Sequence, residues 1–364
     1  MIRHLCLLAA AATATTTQNA TRQLDAYDPP PTDLSRACAS WRPDRDDIDR
    51  VRTIRAGNFV NLAHATGGAF VASVSKVRRP PKGQNCRVLY ELEVIVAACG
   101  TPSQKASVAI VPSHRPTRKC MDVRNWRANG PEDARILKLH STTYFVIYAE
   151  HAGNARRQFF RFLHGYQTLS KETELTSSNL NAVEKNWVPF LDENQKPHVW
   201  RWLEDEDGYG VAHLVDLKSG VLGEAVRQRS FLRSFVLSAP GPKAKICGGT
   251  PAVALNTTHR VAFGHVTRNR RYYTVFAYVF EAQSPFRMVA CSREFRFRGL
   301  GSESSVDFDV ATRPDIEDFI QFPVGLVVDG DSLLVSWGRD RNRETRASSL
   351  RLAELGLARL PRLE

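Results

Sequence analysis

The sequence predicts an all-β fold, a five-bladed β-propeller preceded by an N-terminal signal peptide and a polar strap. Three observations support this: strand-like hairpins recur along the chain, their turns fall at comparable intervals, and helical periodicity is scarce. Only the tail from Ala347 to Leu360 carries a helical repeat.

The N-terminus comes first. Arg3 and His4 precede an apolar run from Leu5 to Ala12, and small and polar residues follow to Ala20. That is the pattern of an export signal over residues 1–20. The apolar run is well short of the roughly 20 residues of a spanning helix, so no membrane span is expected. Residues 21–50 carry Pro29-Pro30-Pro31 and a mix of charges, which reads as an extended strap. Residues 51–364 then form the propeller domain.

Five hairpins can be aligned by their turns within that domain. NFVNLAHATGGAFVASV turns at Gly67-Gly68, ARILKLHSTTYFVIYAE near Ser141 and Thr142, and WVPFLDENQKPHVWRW around Asn194. PAVALNTTHRVAFGHV turns at Asn256-Thr257, and PVGLVVDGDSLLVSWG at Asp329-Gly330-Asp331, a tight-hairpin signal. Successive turns lie about 50 to 75 residues apart, the scale of propeller and solenoid units. RVLYELEVIVAAC and RYYTVFAYVFEA supply outer strands. An irregular β-sandwich accounts for the strand content but not for the spacing.

Composition is that of a globular chain: 364 residues, 43% hydrophobic and 24% charged. The formal charge of +12 is spread from Arg52 to Arg359 rather than gathered in one stripe, which speaks against nucleic acid as partner. Solubility, phosphate or acidic glycans are the remaining explanations. Cys6 lies in the signal, leaving Cys38, Cys86, Cys99, Cys120, Cys247 and Cys291. This even set permits disulfides, with buried free thiols the equal alternative. No C-x-x-C spacing points to zinc, and no metal site is expected. Export places the protein outside the cell or in the secretory lumen. The sequons are Asn19-Ala20-Thr21, at the signal boundary, and Asn256-Thr257-Thr258, on a turn.

In a propeller the innermost strands line a central channel, so residues that open each hairpin can meet at one point. Those openings are Pro131-Glu132-Asp133-Ala134-Arg135, Glu184-Lys185-Asn186-Trp187, Cys247-Gly248-Gly249-Thr250-Pro251 and Gln321-Phe322-Pro323-Val324-Gly325. The order and spacing of these motifs, over residues 55 to 345, resemble the five-bladed propeller enzymes of glycoside hydrolase family 130. That family comprises mannoside phosphorylases and mannosidases, with β-mannosyltransferases as relatives.

In that family an E-D-P-R motif opens a strand and its aspartate is the general acid. PEDAR is similar, with Ala134 in place of proline, and this implies Asp133 as the acid beside Glu132 and Arg135. EKNWVPF resembles the lysine-bearing motif, implying Lys185, with Asn186 and Trp187, as sugar or phosphate contacts. CGGTPAV resembles the glycine-rich G-x-G-T-P-P, which brings in Gly249 and Thr250. Phe263-Gly264-His265 and Tyr272-Tyr273 resemble the Tyr-His-Gly region, with the triplet order altered, and imply His265 and Tyr273. FPVGLVVDGDSLLVSWGRD is similar to the family's closing F-P-x-G-L strand pair and its Y-G-x-A-D ending, which implies Asp340 at the rim. The family's arginine pair has only a shifted counterpart, Arg156 and Arg157.

Glycosyl cleavage or transfer needs an acid for the departing oxygen and a nucleophile on the opposite face of the sugar. Asp133 fills the first role. Glu184 or Asp340 can activate a water; alternatively Lys185, His265 and an arginine such as Arg156 hold inorganic phosphate as co-substrate. No other cofactor is implied. Trp187 or Trp337 can stack on a sugar ring, although a tryptophan in a strand more often belongs to the core. Glu132, Asp133 and Arg135 have a plain alternative as a structural ion pair. The expected partner is an oligosaccharide or glycoconjugate. Two other functions remain open: a secretory-pathway glycosyltransferase and a non-catalytic glycan-binding propeller. No G-x-S-x-G, H-E-x-x-H, P-loop or G-x-G-x-x-G occurs, and the Asp-x-Asp triplets are common coincidences.

Overall fold

The computed structural model describes the chain from residue 59 to residue 360, apart from connecting segments; between 59 and 129 it describes strands by their backbones. The signal peptide, the strap, Cys38, Cys86, Cys99, Cys120 and Asp340 lie outside the described residues. Among those described, nearly all regular structure is strand.

The strands form antiparallel meanders arranged as a propeller. The first blade runs through Phe59–His64, Phe70–Arg78, Val88–Ala97 and Lys105–Val111. The second is built on Glu132–Lys138, Thr143–Ala152, Ala155–His164 and Thr168–Leu169. Val188–Leu191, Pro197–Trp202, Tyr209–Val215 and Leu222–Arg229 make the third. In the fourth, Lys245–Gly248 and Val253–Ala254 share one inner position beside His259–Arg268, Tyr272–Glu281 and Met288–Cys291.

The number of complete blades corrects the sequence expectation: there are four, not five. The fifth hairpin forms, but Gln321–Asp329, Ser332–Arg339 and Glu344–Arg351 make a sheet of only three strands among the described residues. This closing sheet seals the ring, since its inner strand packs against both the first and the fourth blade. The tail also departs from expectation. Its helical repeat yields to pairing of Glu344–Arg351 with Ser332–Arg339, and only the 3₁₀ turn Leu352–Leu355 remains.

Turn chemistry sets the hairpin registers. Asp329 pairs with Ser332 across Gly330-Asp331, and Gly330 takes φ 58°, a left-handed value that glycine adopts without steric cost. In the third blade Asp192 Oδ1 accepts from the backbone N–H of Asn194 at 2.8 Å and of Lys196 at 2.7 Å, closing the loop between Leu191 and Pro197.

Apolar layers between blades hold the ring. Leu137, Phe145, Phe160, Trp187 and Val199 pack between the second and third blades. Phe190, Trp200, Phe276, Tyr278 and Phe280 fill the space between the third and fourth. Phe263, Phe295, Phe297, Val335 and Trp337 join the fourth to the closing sheet. Each such side chain, fully buried, contributes about 1.5–3 kcal/mol. Trp187 and Trp337 therefore serve as core and not as sugar platforms: both are at most 2% exposed, and Trp337 stacks on Phe297 at 5.2 Å. Alternation in a strand does not say which face meets the next blade.

Candidate functional site

The inner strands begin at one end of the ring, and their first residues converge there. Asp133 lies in a bulge where the register of the second blade's inner strand shifts between Glu132 and Arg135. Its φ is 54°, uncommon for a residue other than glycine, and Asp133 is half-buried. Its backbone carbonyl accepts from Arg135 Nη1. The same guanidinium donates through Nε to the carbonyl of Gly249 at 2.6 Å and lies 5.8 Å from the ring centre of Phe322. Arg135 is 1% exposed, so it ties three inner-strand entries together from within.

The fourth-blade entry fits between its neighbours because it lacks side chains. A Cβ on Gly249 stands 2.6 Å from the Phe263 carbonyl and 2.7 Å from Pro323 Cγ. Thr250 is buried and structural: its Oγ1 accepts from the Phe263 N–H at 3.0 Å, and its own N–H donates to the Phe263 carbonyl at 2.9 Å.

His265 stacks on Tyr273 with centroids 5.3 Å apart and meets the edge of Phe322 at 4.7 Å. Burial first, then the positive charges of Arg135 and Lys185, hold its imidazole neutral, well below the ordinary histidine range. Lys185 is exposed at the same entry. Asn186 takes φ 62°, and its carboxamide hydrogen-bonds the Cys247 thiol while Oδ1 is buried without a partner. Burial raises the Cys247 thiol above its ordinary value, and the nearby cations Lys185, Lys245 and Arg135 oppose the shift.

Glu184 has a different role from a water-activating base. It is 1% exposed and ion-paired with Arg201 at 2.6 Å. Its oxygens also accept from Trp187 Nε1 at 3.1 Å and the Asn181 N–H at 2.6 Å. Its carboxylate is thus spent on structure. Arg156 is mostly buried, and its backbone bridges to the third-blade entry: its N–H donates to Ala182 at 2.8 Å and its carbonyl accepts from Glu184 at 2.9 Å. The Glu132 backbone pairs with Ala149; its side chain is outside the described set. Arg135 Nη1 donates to the backbone carbonyl of Asp133.

Phe322 and Cys247 belong to this cluster as well, though sequence reasoning did not single them out as site residues. Their position at the opening of an inner strand was the available signal. Nothing in the sequence flags Arg201 as the partner of Glu184. Among the described residues no group of three or more His, Cys, Asp or Glu side chains is placed to hold a metal, and no helix is long and apolar enough to cross a membrane.

Several solved structures have the same arrangement of strands. A glycosyl hydrolase from Bacteroides ovatus superposes with a TM-score of 0.55 at 14% identity, over 84% of this chain and 87% of that one. The β-1,2-mannobiose phosphorylase of Listeria innocua, in complex with β-1,2-mannobiose, gives 0.54 at 11% identity, over 82% of this chain and 91% of that one. A structure from the glycoside hydrolase family 130 of mannoside phosphorylases, which contains hydrolases that target β-1,2-mannosidic linkages in Candida mannan, gives 0.51 at 12% identity, over 85% and 87%. The chain shares their fold. At these identities the likeness is one of fold, and no protein-family model or curated protein sequence matches the chain.

Proposed function

We propose that this chain is a carbohydrate-active enzyme that cleaves or transfers a glycosyl unit, mannosyl in first instance, with Asp133 as general acid. The observation that carries the reading is the left-handed backbone of Asp133 at the meeting point of the inner-strand entries. Non-glycine residues in that region cost free energy and cluster at functional sites. Among the described non-glycine residues with positive φ, Gln195 and Phe286 lie in connecting loops, whereas Asp133 and Asn186 open adjacent inner strands. The fold shared with mannoside-active enzymes supports a mannoside as the first substrate class to test.

In this reading the Asp133 carboxyl donates its proton to the departing glycosidic oxygen as the bond to the anomeric carbon breaks. The nucleophile enters from the opposite face of the ring. Because Glu184 is committed to Arg201, an anion supplied from solution is favoured over a water that Glu184 activates. Inorganic phosphate is that co-substrate, with Lys185, His265 and Arg156 as its candidate contacts. Neutral His265 then acts as a hydrogen-bonding group and not as a cation.

The test is an assay on β-linked mannobioses with and without phosphate, for the wild type and Asp133→Asn. Wild type should release mannose 1-phosphate, and the variant should lose about 100-fold or more of that rate. Turnover independent of Asp133 removes it as the acid. Free mannose formed without phosphate removes the phosphorolytic form. Saturable sugar binding with no turnover makes the chain a glycan-binding propeller instead.

A further inference from the structure

The inner strands run on from the candidate site to the opposite end of the channel, where they line an open cavity. Its volume is about 380 Å³, within the range of small-molecule sites. The walls include Ile136 and Leu139 from the second blade, Val253 from the fourth, and Leu326 and Val328 from the closing sheet. Lys138 also lines it, on the same strand as Arg135 and about 10 Å further along at the usual strand rise. The two ends of the channel are therefore separate sites.

Lys138 is half-buried, and burial pushes its ammonium below the ordinary lysine range; among the described residues no carboxylate offsets the cost. Arg260, which also lines this mouth, is held by backbone carbonyls and lies within the field of Asp192 and Glu193. It donates to the carbonyls of Leu191 at 2.7 Å, Asp192 at 2.9 Å, Asn256 at 3.1 Å and His259 at 3.2 Å. A partly desolvated ammonium on an apolar wall is costly unless an anion pairs with it. A ligand with an anionic head and an apolar body relieves that cost and buries its own apolar surface.

We propose that this far mouth binds a medium-chain alkyl carboxylate, its head group on Lys138 Nζ and its chain along the apolar walls. The site does not depend on the glycosidic reading.

Calorimetric titration of octanoate into the full chain tests it, using wild type, Lys138→Met and Ala254→Phe. Ala254 lines the cavity from an exposed strand position, so a larger side chain there obstructs the mouth without entering the core. Wild type should bind one octanoate per chain; Lys138→Met should bind about tenfold more weakly or worse, and Ala254→Phe not at all. Octanol and acetate should each bind about tenfold more weakly than octanoate, because each keeps only one half of the recognition. Absence of saturable octanoate binding to wild type overturns the proposal. So does octanol binding as tightly as octanoate, or undiminished affinity in folded Lys138→Met. If Lys138→Met does not fold, retained binding by Ala254→Phe overturns it by itself.

Discussion

Arg135 of the second blade donates through Nε to the carbonyl of Gly249 in the fourth blade at 2.6 Å, across 114 residues of chain. Its Nη1 reaches the carbonyl of Asp133. One buried side chain thus fixes the left-handed turn that carries the candidate acid and anchors it to a distant inner-strand entry.

Arg135→Lys keeps a positive charge but not the fork that serves both carbonyls. At least one buried carbonyl is left without its donor, and unfolding free energy should fall by about 2–4 kcal/mol. Urea denaturation measures this directly. A loss within about 0.5 kcal/mol, the scale of an ordinary surface change, would show that the clamp holds nothing. Turnover per folded molecule should fall as well, because the Asp133 turn loses its anchor.

Two glycines separate the needs of the site from those of a turn. Gly249→Ala puts a Cβ 2.6 Å from the Phe263 carbonyl and 2.7 Å from Pro323 Cγ, so these entries must move apart. A cost of about 1–3 kcal/mol follows, together with a fall in turnover. Gly330 has φ 58° and open space around its missing Cβ. Gly330→Ala therefore costs about 1–2 kcal/mol through its backbone alone and should leave turnover intact. Thermal melts with parallel assays distinguish the two, and equal effects on turnover would contradict the assignment of Gly249 to the site.

The strand content and hairpin turns were legible because they rest on local rules: period-two alternation and turn residues such as Asp329-Gly330-Asp331. The count of full blades was not, because a hairpin signal does not say how many strands complete its sheet, and the closing sheet has three among the described residues; the helical repeat of the tail also yields to pairing with Ser332–Arg339. Trp187 was legible as an entry residue but not as core, since strand alternation leaves open which face meets the next blade. Glu184 looked like a free carboxylate for the same kind of reason. Its partner Arg201 lies 17 residues away on the neighbouring strand, and no spacing rule pairs them. The convergence of Asp133, Asn186, Gly249 and Phe322 is a property of the ring and is not encoded in any one motif.

Asn256 is exposed on the fourth-blade turn, and its Oδ1 accepts from the Thr258 N–H at 3.0 Å and the His259 N–H at 2.8 Å. Those bonds order the sequon and leave out Nδ2, the atom that receives a glycan. Expression through a eukaryotic secretory pathway should therefore give a mass increment that a glycosidase removes and Asn256→Gln abolishes. An unshifted mass in the secreted protein would count against a lumenal site at this turn.

The Glu184–Arg201 pair is the structural counterpart of the site. Both side chains are largely buried, so removing one charge strands the other. Glu184→Gln should cost about 3–5 kcal/mol, and combining it with Arg201→Gln should recover part of that loss, a coupling of about 1 kcal/mol or more. Additive losses in the double-mutant cycle would mean that the pair contributes no interaction of its own.

Acid should weaken the propeller by way of its buried histidines. His265 is held neutral in the folded chain, chiefly by burial, and burial likewise lowers His198 and His213. In the unfolded chain each returns to an ordinary value of about 6.5. Below that pH the unfolded state binds protons that the native state refuses, so stability falls as pH falls, by up to about 1.4 kcal/mol per pH unit for each such histidine. Above about pH 7 both states are neutral at these positions and the contribution is flat. His265→Phe keeps a ring between Tyr273 and Phe322 but cannot take up a proton. Its melting temperature should therefore drop less between pH 7 and pH 5 than that of the wild type, with the remaining slope left to His198, His213 and His164, which burial also lowers. Identical slopes for the two proteins would show that His265 is not kept neutral by its surroundings.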